Sequence, residues 1–212
     1  NMVGKLFWIS SILLAARRDD LLREIAPRVL GDPPYVACVC VTEPGGGANI
    51  EDPALEFTTI QTTARRDGGA YVIEGEKIWP GPSGPAERFK TEHLAGHLGY
   101  WTVATTDPIA KSDGVGVFYV PPDAEGLEFS GPIKKMGMCW TDENTRIRFN
   151  QVRIPKTFRV DTVPGQGAAI VKGQIVAFGR LASAAYLVGM AQAVLEATVE
   201  WTATRTIGGV AV

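Results

Sequence analysis

Between Val39 and Asn49 the chain reads Val-Cys-Val-Thr-Glu-Pro-Gly-Gly-Gly-Ala-Asn, an apolar run that halts at a proline and opens into three glycines. The β-branched stretch from Tyr35 to Val41 has the composition of a buried strand. A triple glycine at a strand's end brings bare backbone N–H groups close to a ligand, because no Cβ stands in the way. Thr42 and Glu43 stand at the mouth of that strand, where polar side chains can meet the edge of a bound molecule. The residues alone leave two readings open, a ligand-holding loop and a flexible turn. A second candidate, His93 and His97, is spaced four apart as metal ligands on one helical face are. No third ligand of suitable spacing accompanies the pair, so no metal site is expected.

These groups need elements to hold them. Residues 5 to 30 carry helical spacing, with Leu6, Ile9 and Leu13 on one face, until Gly31-Asp32-Pro33-Pro34 stops the helix. From Tyr35 to Pro155 the pattern becomes short strands between turn signals. Phe57 to Thr63 alternates, Asp67-Gly68-Gly69 makes a hairpin turn, Tyr71 to Ile73 returns, Glu74-Gly75 turns again, and Glu76 to Trp79 follows. Further strands are expected at Tyr100 to Thr106, Gly116 to Val120, Leu127 to Ser130, Thr145 to Phe149 and Val152 to Ile154. Pro85 to Gly99 reads as an inserted loop or short helix. Regular short strands of this kind argue a small barrel or sandwich. After Gly165-Gln166-Gly167 helical spacing resumes, first over Ala168 to Phe178. A second helix then carries Leu181, Ala184, Val188, Ala191, Leu195, Val199 and Thr202 on one face. Glu196 and Glu200, four apart on it, read as a solvated stripe.

Composition sets outer bounds. The 212 residues are 45% hydrophobic and carry a formal charge of −2, an ordinary globular balance that gives no argument for nucleic acid or an anionic membrane surface. Three cysteines cannot all pair. Cys38 and Cys40 share one face of a strand, too constrained for an ordinary disulfide, which points to core packing and a reducing compartment. The apolar run Leu6 to Ala16 is too short to span a bilayer and reads as a buried helix rather than a signal-peptide core. Asn1 is not a natural start, so the chain reads as a fragment or a trimmed one.

The stretch Val-Thr-Glu-Pro-Gly-Gly-Gly-Ala-Asn resembles the Thr-Glu-Pro-Gly-Ala-Gly-Ser-Asp signature of the acyl-CoA dehydrogenase family, flavoproteins that desaturate acyl-CoA thioesters. Further matches follow in family order: Glu76-Lys77-Ile78-Trp79, Lys135-Met136-Gly137, the run from Ile147 to Pro155, and Gly189-Met190-Ala191-Gln192-Ala193. The resemblance implies an α+β chain in three parts. Residues 1–34 would end an N-terminal helical domain, 35–160 form a small β-barrel middle domain, and 161–212 begin a truncated C-terminal four-helix bundle.

The resemblance also implies FAD as cofactor. Val41, Thr42, Gly47, Ala48, Trp79, Gly81 and Arg205 fall on family cofactor positions, with Ala48 and Arg180 on the acyl-CoA side. Thr42 keeps the family's side-chain contact to the polar edge of the flavin, and Trp79 the aromatic face against its rings. The Arg205 guanidinium suits the pyrophosphate of a neighbouring subunit's FAD, with a helix-end arginine on its own macrodipole as the alternative. Departures from the signature fall at the same loops. Ala48 and Asn49 replace Ser and Asp, Gly208 replaces a phenylalanine, and Gly81 holds the place of a flavin-bonding hydroxyl that Ser83 supplies only if the loop is remodelled.

Family chemistry takes the acyl α-proton with a glutamate while the β-hydride goes to the flavin. That glutamate is expected beyond residue 212, and Gly179 occupies the position that a minority of members use. The implied partners are an acyl-CoA, an electron-transfer flavoprotein or similar acceptor, and further copies of the chain in a dimer or tetramer. The implied location is cytoplasmic, or the mitochondrial matrix in a eukaryote, with no membrane span. Two further readings stay open: an oxidase or monooxygenase of the same fold, and a non-catalytic subunit.

Overall fold

The computed structural model describes residues 2–137 and 143–211, with side chains over 8–137 and 143–210; the side chain of Leu6 and the third cysteine, Cys139, lie outside these. Helices α1 (Met2–Ala15) and α2 (Asp19–Val29) come first. Ile9, Ile12 and Leu13 of α1 are fully buried, as the apolar run requires, and α1 lies against the first strand. At the joint between the two helices the Arg18 guanidinium donates to the carbonyls of Thr157, at 2.7 Å, and Arg159. A buried cation thus fastens the helical entry to the end of the sheet, where charge-assisted hydrogen bonds are strong.

Eight strands form one curled sheet: β1 (Tyr35–Cys40), β2 (Thr63–Asp67), β3 (Ala70–Ile78), β4 (Lys90–Thr91), β5 (Leu94–Thr105), β6 (Val115–Val120), β7 (Leu127–Phe129) and β8 (Arg146–Pro155). Their order is β1-β5-β2-β3-β8-β7, with β4 and β6 also paired to β5. β1 runs parallel to β5, while β3 and β8 form a long antiparallel ladder from Ala70↔Pro155 to Ile78↔Arg146. The strand side chains facing inward give one apolar core that includes Cys38, Cys40, Ile73, Tyr100, Phe118, Ile147 and Phe149. Cys38 and Cys40 form no disulfide and are buried, their sulfurs 3.9 Å apart, as the same-face argument expects.

Several local expectations fail for physical reasons. Residues 57–62 form no strand; Phe57 sits at φ 58° with its ring buried, turns run to Thr59, and irregular backbone joins them to β2. Glu74-Gly75 does not turn the chain. β3 runs through it with a register shift between Ile73 and Gly75, a bulge that a one-residue pattern cannot distinguish from a turn. Gly75 has φ 145°, and a Cβ there would lie 2.6 Å from Thr62 Cα. Gly75→Ala is therefore expected to lower stability by about 3 kcal/mol through overpacking and backbone strain, read as a fall in denaturation midpoint.

The segment before Gly99 is not helical at the histidines. A 3₁₀ turn at Ala86–Phe89 leads into β4 and β5, which places His97 within a strand and His93 on an exposed turn. The two do not share a helical face. His97 is buried, takes the Gly99 N–H on Nδ1 at 2.9 Å and places Nε2 3.1 Å from the Pro82 carbonyl. It is a structural histidine. No group of three metal-ligating residues occurs among the described residues.

The chain divides into two compact units, Asn1–Ile175 and Val176–Val212. Helical backbone persists over 166–204 instead of breaking near Gly179: α3 (Gln166–Ile170), a π-helical stretch Val171–Ala177, then α4 (Phe178–Thr204). A single glycine costs a helix only about 1 kcal/mol. The one-face stripe is also corrected. α4 carries Tyr186, Leu187, Met190 and Val194 as exposed as Leu181, Val188 and Leu195, so its apolar residues are not confined to one face. By length and composition alone, the helical stretch Gln166–Thr204 is long and apolar enough to cross a bilayer. A hairpin of β9 (Thr206–Ile207) and β10 (Val210–Ala211) follows, its Gly208-Gly209 turn at φ 59° and 83°, as two-residue hairpin turns require.

Candidate functional site

β1 ends at Cys40, and Ile78 N–H donates to Thr42 O at 2.9 Å. The glycine loop and the end of β3 are thereby placed side by side. Glu43 is the pivot. Its buried carboxylate accepts Lys77 Nζ at 2.7 Å and Thr62 N–H at 3.0 Å on Oε1, and Gln61 N–H at 2.6 Å on Oε2. Lys77, fully buried, also donates to Val41 O at 3.0 Å. Burial pulls the Lys77 ammonium below its ordinary pKa, and the Glu43 charge opposes that pull. Glu43 is thus a structural anchor and does not meet a ligand edge.

Beyond Glu43 the loop closes on itself through reciprocal Glu43–Gly46 backbone bonds. Its carbonyls are taken from within: Thr59 Oγ1 donates to Gly47 O, and Phe57 N–H to Ala48 O at 2.8 Å. Asn49, at φ 49°, turns its amide inward to Thr59 Oγ1 at 3.0 Å. With the carbonyls committed, the N–H groups of Gly47 and Ala48 have no acceptor among the described residues. The Thr42 side chain is exposed and likewise unpartnered there. Successive free N–H donors in a tight turn form an anion- or oxygen-binding nest. Thr59→Val removes both hydroxyl bonds and is expected to weaken the loop by about 1 kcal/mol, seen as faster amide exchange at Gly47 and Ala48.

Trp79 follows β3 at φ 71° and is 50% exposed. A bulky residue in the left-handed region is a genuine outlier, and such strain concentrates at functional sites. The turn after it does not present the Ser83 hydroxyl outward. Ser83 is fully buried; its hydroxyl lies 2.7 Å from Pro80 O and 3.0 Å from Thr145 Oγ1, and takes Thr145 N–H at 2.9 Å. It therefore offers no hydroxyl to a ligand. Gly81 lies on this turn and carries no side chain. Asn144, which no sequence signal singled out, donates to Trp79 O at 2.8 Å and Pro80 O at 3.1 Å.

Val41, Thr42, Gly47, Ala48, Trp79 and Gly81 all lie in the first unit, on the two segments that the Ile78–Thr42 bond ties. Arg180 and Arg205 belong to the second. Arg180 is exposed on α4, and Arg205 caps its end with the guanidinium 5.4 Å from the Trp201 ring centre. Glu43, Lys77, Thr59 and Asn144 complete the frame through contacts 12 to 65 residues apart in sequence, beyond the reach of local patterns.

Comparison with known proteins bears on this geometry. Residues 38–152 match the acyl-CoA dehydrogenase middle domain. Benzylmalonyl-CoA dehydrogenase of Aromatoleum aromaticum is 28% identical over 91% of this chain and 44% of its own length. The mitochondrial short-chain specific acyl-CoA dehydrogenase of Bos taurus is 27% identical over 98% of this chain and 45% of its own. A crystal structure of a putative acyl-CoA dehydrogenase from Mycobacterium smegmatis superposes with a TM-score of 0.73 at 25% identity, over 93% of this chain and 46% of that one. Butyryl-CoA dehydrogenase from Megasphaera elsdenii, at 24% identity and TM-score 0.67, shares the fold. The chain spans a little under half the length of these curated relatives. With more than half of its residues matched to that domain, and the curled sheet and glycine loop in place, the chain belongs to the acyl-CoA dehydrogenase family.

Proposed function

We propose that the chain supplies the cofactor cradle of an FAD-dependent acyl-CoA dehydrogenase, which desaturates an acyl-CoA between its α and β carbons. The observation that carries this reading is the Ile78–Thr42 bond, which ties a loop with acceptor-free Gly47 and Ala48 N–H groups to the strand end that carries a strained, half-exposed Trp79. Backbone donors, a hydroxyl and an indole face are what a flat heteroaromatic ring with polar edges requires. FAD, when bound, supplies a two-electron acceptor.

The chain's own residues bind and orient. Thr42 and the two N–H groups meet polar ring atoms, the Val41 segment walls the crevice, and Trp79 covers a ring face and excludes water. Gly81 lets the turn approach without a side chain. Ala48 and Arg180 serve the acyl-CoA, and Arg205 the pyrophosphate of FAD in a neighbouring copy, where a guanidinium fork matches paired phosphate oxygens. Glu43 is not the base that removes the α-proton, because Lys77 and two backbone N–H groups occupy its oxygens. A homo-oligomer and an electron-transferring flavoprotein acceptor complete the proposal.

Titrating the full chain with FAD tests it. Saturable binding that quenches indole fluorescence and retains flavin absorption through gel filtration is expected. FAD that elutes free of the protein at every concentration would refute the reading.

A further inference from the structure

Trp79 holds a backbone conformation that its own side chain disfavours, so something outside the turn must hold it. The Asn144 amide does so. It is buried, its backbone is fixed by Ile133 N–H donating to Asn144 O at 2.8 Å, and both of its N–H donors reach consecutive carbonyls of the turn, Trp79 O and Pro80 O. Lys135 Nζ donates to the remaining Asn144 Oδ1. The amide can sit only one way round. A flip would set its oxygen against two carbonyls and its NH₂ against an ammonium. The neighbouring bonds, Ser83 N–H to Glu143 O at 3.0 Å and Thr145 N–H to Ser83 Oγ, hold the rest of the turn. Only Asn144 bonds the Trp79 carbonyl itself among the described residues.

We infer that Asn144 is a positioning residue: its paired N–H groups fix the Trp79–Pro80 turn and so aim the indole that covers the cofactor. The inference rests on the cradle reading for its consequence, and on the turn geometry alone for its cause. Asn144→Asp is the sharpest probe, since it keeps size and the Lys135 contact but turns a donor into an acceptor facing two carbonyls.

The full chain labelled with 5-fluorotryptophan reads the effect without cofactor. The Trp79 fluorine resonance, assigned by its loss in Trp79→Phe, is expected to shift or broaden in Asn144→Asp and Asn144→Ala, while that of core Trp101 stays. The FAD dissociation constant should rise about tenfold. An unmoved Trp79 resonance, or Trp79 and Trp101 moving together, overturns the inference. If the Asn144 variants unfold, Trp79→Gly decides the matter, because glycine needs no restraint at this φ. Trp79→Gly/Asn144→Ala should then fold as Trp79→Gly does, and its failure to fold counts against the assignment. Absence of FAD binding by the unmodified chain would sink the cradle reading instead and leave the fluorine result to decide the role of Asn144.

Discussion

Lys77→Met lowers the stability of the first unit by about 3–5 kcal/mol, the usual consequence of deleting one member of a buried ion pair. The loss comes less from the missing attraction than from what remains. The Glu43 carboxylate stays enclosed with only the Gln61 and Thr62 N–H groups to satisfy it, and Val41 O loses its donor. The single change should appear as a large drop in denaturant midpoint with little change in slope. Glu43→Gln/Lys77→Met removes both charges while keeping volume, and is expected to recover much of the loss, since neutral replacement of a buried pair is often tolerated. A double variant as unstable as the sum of the singles would mean that the two groups do not act as a pair.

Trp79→Gly is expected to separate stability from binding. Truncating a core tryptophan costs about 3–5 kcal/mol, yet here half the indole is exposed and the backbone sits at φ 71°. Relief of left-handed strain, about 1–3 kcal/mol, offsets most of the lost burial. The net change in stability should stay within about 1 kcal/mol. Cofactor affinity should fall about ten- to a hundredfold, as expected for losing an aromatic stacking platform worth ~1–3 kcal/mol. Stability kept while FAD binding is lost would mark Trp79 as a residue held for function at the expense of the fold. A core-like stability loss with FAD binding intact would place it among ordinary packing residues.

What could be read from the sequence was local. The β-branched run of β1, the halt at Pro44 and the glycines located the loop correctly, and the burial of β8 follows a period of two on either side of Asn150-Gln151, with Ile147 and Phe149 buried before it and Val152 and Ile154 after it. The helix of apolar spacing at the start is present, with Ile9 and Leu13 buried. What was not legible depends on pairing across the chain. Nothing in the local pattern joins Lys77 to Glu43, 34 residues earlier. Whether Ser83 faces a ligand is decided by Thr145, 62 residues later, and by the Pro80 carbonyl. The bulge at Gly75 and the inward amide of Asn49 follow from neighbours in space, Thr62 and Thr59. His93 and His97 share spacing with helical ligands, but β4 and β5 form there because β5 pairs with β1 along most of its length. The even stripe assigned to α4 failed because its Leu and Val positions are matched by Tyr186, Leu187 and Met190 between them.

The central claim is that the Gly47 and Ala48 N–H groups and the Trp79 indole clasp one flat cofactor. Amide and indole proton–nitrogen spectra of the full chain, recorded with and without FAD, address it most directly. The account predicts that FAD shifts the Gly47 and Ala48 amides and the Trp79 indole N–H together, with one saturation curve, while Trp101 is unmoved. Saturable FAD binding that leaves those three signals in place would contradict it.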